Sequence, residues 1–274
     1  MRSIVASDQA SILRGADMTA RRWVGQPPGI AVLRQVAVPL ALLVLWQLAG
    51  HQSMASVERA LERAAWIHHT EADFGLPDEA AWQRMALPHP RLLMAANSYY
   101  AVMHVATMVG LLLWVYFRHR EHYRRVRGTV TLVTAACLLM QFIPVAPPRI
   151  LRQDGFVDVA REHGQSIFGR PVAGLVVNEF AAMPSMHVAW CVLVAAVAAR
   201  ITRSGWRWLG VIHAAVTLVV VVVTANHFWA DCVMAVAVVL MGYTAQVGVV
   251  AARRRRGRAA ASPDRVTAME PGNG

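Results

Sequence analysis

The sequence of 274 residues contains no lysine; all 27 of its basic residues are arginine. Charge of either sign is scarce, at 16% of residues, where a soluble domain carries about 25%. Hydrophobic residues make up 56%, and the mean hydropathy is +0.40. That balance excludes an ordinary soluble domain and points to lipid as the solvent. Cysteine is nearly absent too. Cys137, Cys191 and Cys232 lie inside apolar runs with no CxxC or Cys/His spacing, which excludes a disulfide framework and a thiolate metal centre. No internal repeat is present. The net charge of +11 and pI near 11 raise nucleic acid as a partner. The arginines, however, fall in short blocks between apolar runs rather than on an aromatic-interleaved basic face, so that partner is excluded.

A bilayer-spanning helix needs about 20 mostly apolar residues. Runs at 36–50, 99–117, 129–146, 186–199, 208–226 and 228–252 meet or approach that length. They predict an all-α integral membrane protein: a six-transmembrane-helix bundle with short interfacial helices on its outer side. The first run is the shortest and contains Gln47. The long lead-in before it favours a retained anchor over a cleaved signal peptide. The expected organisation is a cytoplasmic segment at 1–35, the membrane domain at 36–252 and a basic, disordered tail at 253–274. Between the first two runs, Val57, Leu61, Ala64 and Ala65 fall on one helical face, which predicts an interfacial or capping helix. With six spans, both termini share a side with the 118–128 and 200–207 loops. That side holds 19 of the 27 arginines. The positive-inside rule then places both termini in the cytoplasm of a multi-pass plasma-membrane protein. Arg253–Arg256 and the string 118–127 read as stop-transfer anchors.

Ionisable residues at span edges are costly and are therefore functional candidates. Three clusters fall on the predicted outer side. In Ile143-Pro-Val-Ala-Pro-Pro-Arg149, prolines end the helix and hold Arg149 on a rigid arm, where its guanidinium suits a phosphate or a lipid headgroup. In Ala182-Met-Pro-Ser-Met-His187, Ser185 is an N-cap candidate and His187 sits in the first helical turn. That position attracts anions and suits proton donation to a leaving oxygen. In Asn226-His227-Phe-Trp-Ala-Asp231, His227 and Asp231 are i and i+4. The carboxylate can fix one imidazole nitrogen and leave the other to attack.

This pattern resembles the type-2 phosphatidic acid phosphatase superfamily, whose usual motifs are Lys-x6-Arg-Pro, Pro-Ser-Gly-His and Ser-Arg-x5-His-x3-Asp. Pro184-Ser-Met-His187 and His227-x3-Asp231 match, with Met186 in place of glycine. Phe142 stands where the first-motif lysine would be, and Val221 where the third-motif arginine would be. These departures, with Asn97-Ser-Tyr-Tyr-Ala-x2-His104, resemble the inositol phosphotransferase branch that includes inositol phosphorylceramide synthases. The resemblance implies that His227 is a nucleophile forming a phosphohistidine, that Asp231 orients it and that His187 protonates the leaving alcohol. Arg149 and the amides near Ser185 would bind the non-bridging oxygens. Asn226, Arg152, Arg170 and His104 are candidates to replace the missing cations.

The resulting expectation is a phosphohydrolase or phosphotransferase acting at the extracytoplasmic face on a lipid phosphate or phosphodiester. Membrane lipids surround it, and inositol or another polyol is a candidate acceptor. No cofactor and no metal are implied. The competing reading is a lipid or polyprenyl-phosphate transporter that uses the basic pocket for binding alone. His68-His69 reads as part of the outer cap, His119 and His122 as cytoplasmic anchor, and His213 as a hydrogen-bonded packing residue.

Overall fold

A computed structural model describes residues 28–166 and 177–260. Among them the secondary structure is helical, with no strand beyond an isolated parallel bridge between Val145 and Ala181. The helices are α1 (Pro28–Met54), α2 (Val57–Asp73), α3 (Glu79–Ala86), α4 (Pro90–Arg118), α5 (Arg120–Met140), the single turn α6 (Val159–Glu162), α7 (Met186–Ile201), α8 (Arg207–Val223) and α9 (Trp229–Ala260). Packing divides the chain into two units, Met1–Val44 and Leu45–Gly274. Everything described below about the site lies in the second.

Among the described residues, three stretches are long and apolar enough to cross a membrane: Val36–Ser53, Pro90–Arg118 and Trp229–Val249. Helices α7 and α8 are apolar but shorter, at 16 and 17 residues. The apolar side chains of these helices turn outward as much as inward. Val102, Val105, Val109 and Leu113 on α4, Ile212 and Val219 on α8, and Val233 and Leu240 on α9 are all exposed. In water such surfaces would aggregate; hydrocarbon is the solvent that suits them. The chain is a membrane protein on these grounds.

The inner faces are closed by small residues. Gly242 on α9 stands where an added Cβ would come within 2.6 Å of Val133 Cγ2 on α5, and Gly210 on α8 meets the Ala195 backbone of α7. Such close approach lets backbones pack where lipid supplies no hydrophobic drive between helices.

Two boundaries differ from expectation. The run 129–146 stops being helical at Met140, because Pro144 biases Ile143 away from helix and Pro147 and Pro148 supply no N–H. The segment is instead held by long-range backbone bonds, with Val145 N–H donating to Phe180 O and Ala146 N–H to Ala60 O. Helix α9 runs past Ala252 through the arginine block to Ala260. The helix expected between the first two runs is α2, but its buried face is Ala60, Ala64, Ile67 and Glu71, while Val57 is exposed. The alanines on that face allow the carbonyl of Ala60 to reach the 144–147 segment.

Gly242→Ala is expected to lower the thermal stability of the detergent-solubilised protein. Overpacking against the buried, β-branched Val133 costs about 1–3 kcal/mol, more than the ~1 kcal/mol that alanine gains over glycine in a helix. Gly248→Ala, where an added Cβ meets nothing within 4 Å, should be neutral or stabilising. Melting curves of the two variants side by side check the pair, and equal shifts would refute the packing argument.

Candidate active site

Helix α8 ends in a reversal that sets up the site. The Ala225 N–H donates to Val222 O, and the N–H groups of Asn226 and His227 both donate to Val221 O. This 5→2 plus 6→1 pattern usually carries glycine at its left-handed position; here Ala225 occupies it, with φ 51°. A non-glycine residue there carries about 1–2 kcal/mol of strain. The surroundings hold it in place: Ala225 is buried, and its carbonyl accepts the N–H of Arg149.

His227 follows directly and is 3% exposed. Its Nδ1 lies 2.9 Å from Ala182 O and 3.3 Å from Asp231 Oδ2. A carbonyl oxygen only accepts, so Nδ1 must carry the proton and Nε2 must be the nitrogen with the free lone pair. That Nε2 is buried with no hydrogen-bond partner. Asp231, fully buried, also accepts the Phe228 N–H at 2.9 Å, and its backbone carbonyl accepts the Ser185 N–H. The carboxylate thus orients the histidine and caps α9 at once.

Ser185 caps α7, its hydroxyl accepting the Val188 N–H at 3.3 Å. His187 in the next turn stacks on Tyr100 at 3.9 Å between ring centroids, and lies 4.0 Å from His104 and 5.7 Å from His227 by the same measure. Its Nε2 is likewise buried without a partner. His104 bonds the Tyr100 carbonyl through Nδ1. Four rings from α4, α7 and the α8–α9 turn therefore meet at one point.

Arg149 is 2% exposed and held on several sides. Its Nη1 donates to Asn226 Oδ1 at 2.7 Å, its Nη2 to Glu179 Oε1 at 3.3 Å, and Asp158 Oδ2 lies 3.8 Å from Nε. Asn226 in turn donates to Thr224 Oγ1. Arg149 also lines a cavity of about 150 Å³ with Arg152, Arg161, Asp158 and Glu179. A larger cavity, about 540 Å³, opens among Leu111, Trp114, Arg118 and Trp206 and is lined by none of the predicted site residues.

The structure thus brings His227, Asp231, His187, Ser185, Asn226, Arg149 and His104 together, and sets the exposed Arg152 at the neighbouring cavity. Arg170 lies outside the described residues. Tyr100, Asp158 and Glu179 are additions; only Tyr100 had a signal in the sequence, within the stretch 97–104. His213 bonds Tyr99 and Thr107, as a packing histidine does.

Beside this site, Glu71 Oε1 accepts the Ala230 N–H and Glu79 Oε1 accepts the Trp229 N–H at 3.1 Å. The first-turn amides of α9 are therefore capped by two buried carboxylates from α2 and α3. Burial, and then the adjacent Glu79, push the Glu71 carboxyl up to about 9.

Asp231→Asn should retain an acceptor for the Nδ1–H while losing the charge. Where a carboxylate alone sets the tautomer, the amide costs about 10⁴ in turnover. Here Ala182 O holds the tautomer as well, so a loss of about 10- to 100-fold is expected, read as initial turnover rates. A loss as large as that of His227→Ala would show that Ala182 O does not hold the proton on Nδ1.

A family model described as the PAP2 superfamily matches residues 65–245, more than half of the chain, and the chain belongs to that superfamily. Comparison with curated proteins and with solved structures finds no match.

Proposed function

We propose, from membership of the PAP2 superfamily, that the chain is a membrane-embedded lipid phosphate phosphohydrolase or phosphotransferase working through a phosphohistidine. The observation that carries this reading is the His227 ring: Nδ1–H is tied down on two acceptors while Nε2 stays buried and without a partner. Nε2 attacks phosphorus, and the bond from phosphorus to the alcohol oxygen breaks. His187 delivers its proton to that oxygen. In the second half, a water or acceptor hydroxyl attacks the phosphohistidine, gives its proton to His187 and restores both rings. Arg149 and the first-turn amides of α7 hold the non-bridging oxygens, where negative charge spreads in the transition state.

The inositol phosphotransferase branch is the finer assignment. Val221, where the superfamily usually has arginine, is fully buried in the apolar core. That leaves the cationic work to Arg149, with Arg152 and Arg161 along the adjoining cavity. Six crossings, with both termini in the cytoplasm and the site at the outer face of the plasma membrane, complete the proposal. It rests on the arginine distribution. A reporter fused after Gly274 should be active only on the cytoplasmic side; activity outside would reverse the orientation.

Purified protein should release phosphate from a panel of lipid phosphates, or transfer the phosphoryl group when inositol is supplied, as mass spectrometry of the products would reveal. Acid-sensitive, base-stable label from a ³²P-lipid should appear on wild type and be absent from His227→Ala, whose turnover should fall by at least ~10³-fold, as for loss of a nucleophile. Full activity in His227→Ala would end this mechanism. Lipid flipping without phosphate release, unaffected by that substitution, would establish a transporter instead.

A further inference from the structure

The α2–α3 hairpin holds a group of side chains that phosphoryl transfer at His227 does not use. His68, Glu71 and Glu79 each present one ligand atom, and the three atoms lie within 4.8 Å of one another. His68 and Glu71 are i and i+3 on α2, so one helical face carries both. The turn through Gly75, at φ 71°, brings Glu79 back beside them at the start of α3.

A cluster of acidic groups alone would be unremarkable, but two features set this one apart. Glu71 is 4% exposed and spends only Oε1 on the Ala230 amide; its Oε2 is buried with no hydrogen-bond partner. His68 Nδ1 is also buried without a partner, 3.9 Å from Glu79 Oε2. The His68 ring is fixed from the sides by Phe156 and Phe228. A cation would displace the proton that the Glu71 carboxyl holds beside Glu79 and give a shared partner to the buried Glu71 Oε2 and His68 Nδ1.

We infer that His68, Glu71 and Glu79 form a divalent-cation site, separate from the phosphoryl-transfer residues, that clamps α2 and α3 to the first turn of α9. One imidazole and two carboxylates suit a first-row ion such as Zn²⁺ or Mn²⁺, with water completing the shell. Bond lengths near 2.1 Å require the three ligand atoms to draw slightly closer than they stand here. The cation would not replace the helix caps, because each glutamate bonds an α9 amide with one oxygen and keeps the other for the ion. Its role is positional: the carboxylates it fixes are those that hold Trp229 and Ala230, two and three residues beyond His227.

The test is binding of Zn²⁺ and, separately, Mn²⁺ to tag-free, full-length protein in detergent after chelator treatment. Calorimetry and elemental analysis of the dialysed protein give the affinity and stoichiometry. Wild type should bind one equivalent, and chelation should lower its melting temperature by several degrees. Glu79→Gln and His68→Gln should each weaken binding by at least tenfold while eluting as monodisperse protein. Should either variant fail to fold, the Glu71→Gln protein supplies the same comparison. No binding by wild type, or undiminished binding in folded variants, overturns the site; the second outcome assigns the ion to surface histidines instead. Because the readout is metal content and melting temperature, its failure leaves the phosphohistidine reading untouched. Failure of the ³²P labelling would likewise leave the cation site standing.

Discussion

The site depends on one buried carboxylate, Asp231. Its side chain accepts from His227 Nδ1 and from the Phe228 amide, and its backbone carbonyl accepts from Ser185. One residue thereby orients the histidine, starts α9 and ties that start to the start of α7. A charge without solvent is tolerable only when its lone pairs are matched by donors. Two N–H groups of the helix entrance it caps, the Phe228 amide and the imidazole, supply this match for Oδ2, while Oδ1 is buried without a hydrogen-bond partner. The i and i+4 spacing thus has a reason beyond helical register: the histidine must precede the helix by two residues to bend back over the carboxylate that caps it.

The two helix entrances in the site carry opposite electrostatic settings. At α9 the amides that give the N-terminus its partial positive charge are already bonded by the side chains of Asp231, Glu71 and Glu79. At α7 no acidic residue occupies the first turn, and a neutral serine hydroxyl supplies the cap. In the proposed reaction, a phosphate would therefore be received by the open amides of α7 rather than by the bonded amides of α9.

The side chains that gather at the site were far more legible in the sequence than the groups that support them. His227, Asp231, His187 and Arg149 stand out because an ionisable group beside an apolar run is costly wherever it lies, so their positions alone raise the question of function. Ala182 O and the Ala225 reversal carry no such mark. One is a backbone atom brought in from 45 residues away, and the other is an alanine doing what glycine usually does. The α2 face was legible in part: Ala64 is buried and Leu61 packs against the core, while Val57 is exposed. The helix also buries the small Ala60, whose carbonyl reaches the 144–147 segment. Glu71 and Glu79 look like solvated charges in a polar stretch, and only the turn at Gly75 shows that they share a place.

The loss of the family's usual cation at Val221 follows from the same local geometry. Val221 is the residue whose carbonyl receives both Asn226 and His227, so it sits a full turn inside α8 with its side chain in the core. A guanidinium in that core would need a partner that the surrounding valines do not offer. Asn226 holds Arg149 Nη1 at 2.7 Å, one residue before His227. In the proposed reaction, transition-state charge would be met by this arginine, positioned through the asparagine and balanced in the structure by Glu179 and Asp158. The acidic partners have a consequence for catalysis. Under the proposed reaction, a phosphate would compete with Glu179 for the guanidinium, which would weaken binding of the ground state. The interaction is best realised as charge builds on the non-bridging oxygens, where a gain in binding raises the rate of the chemical step.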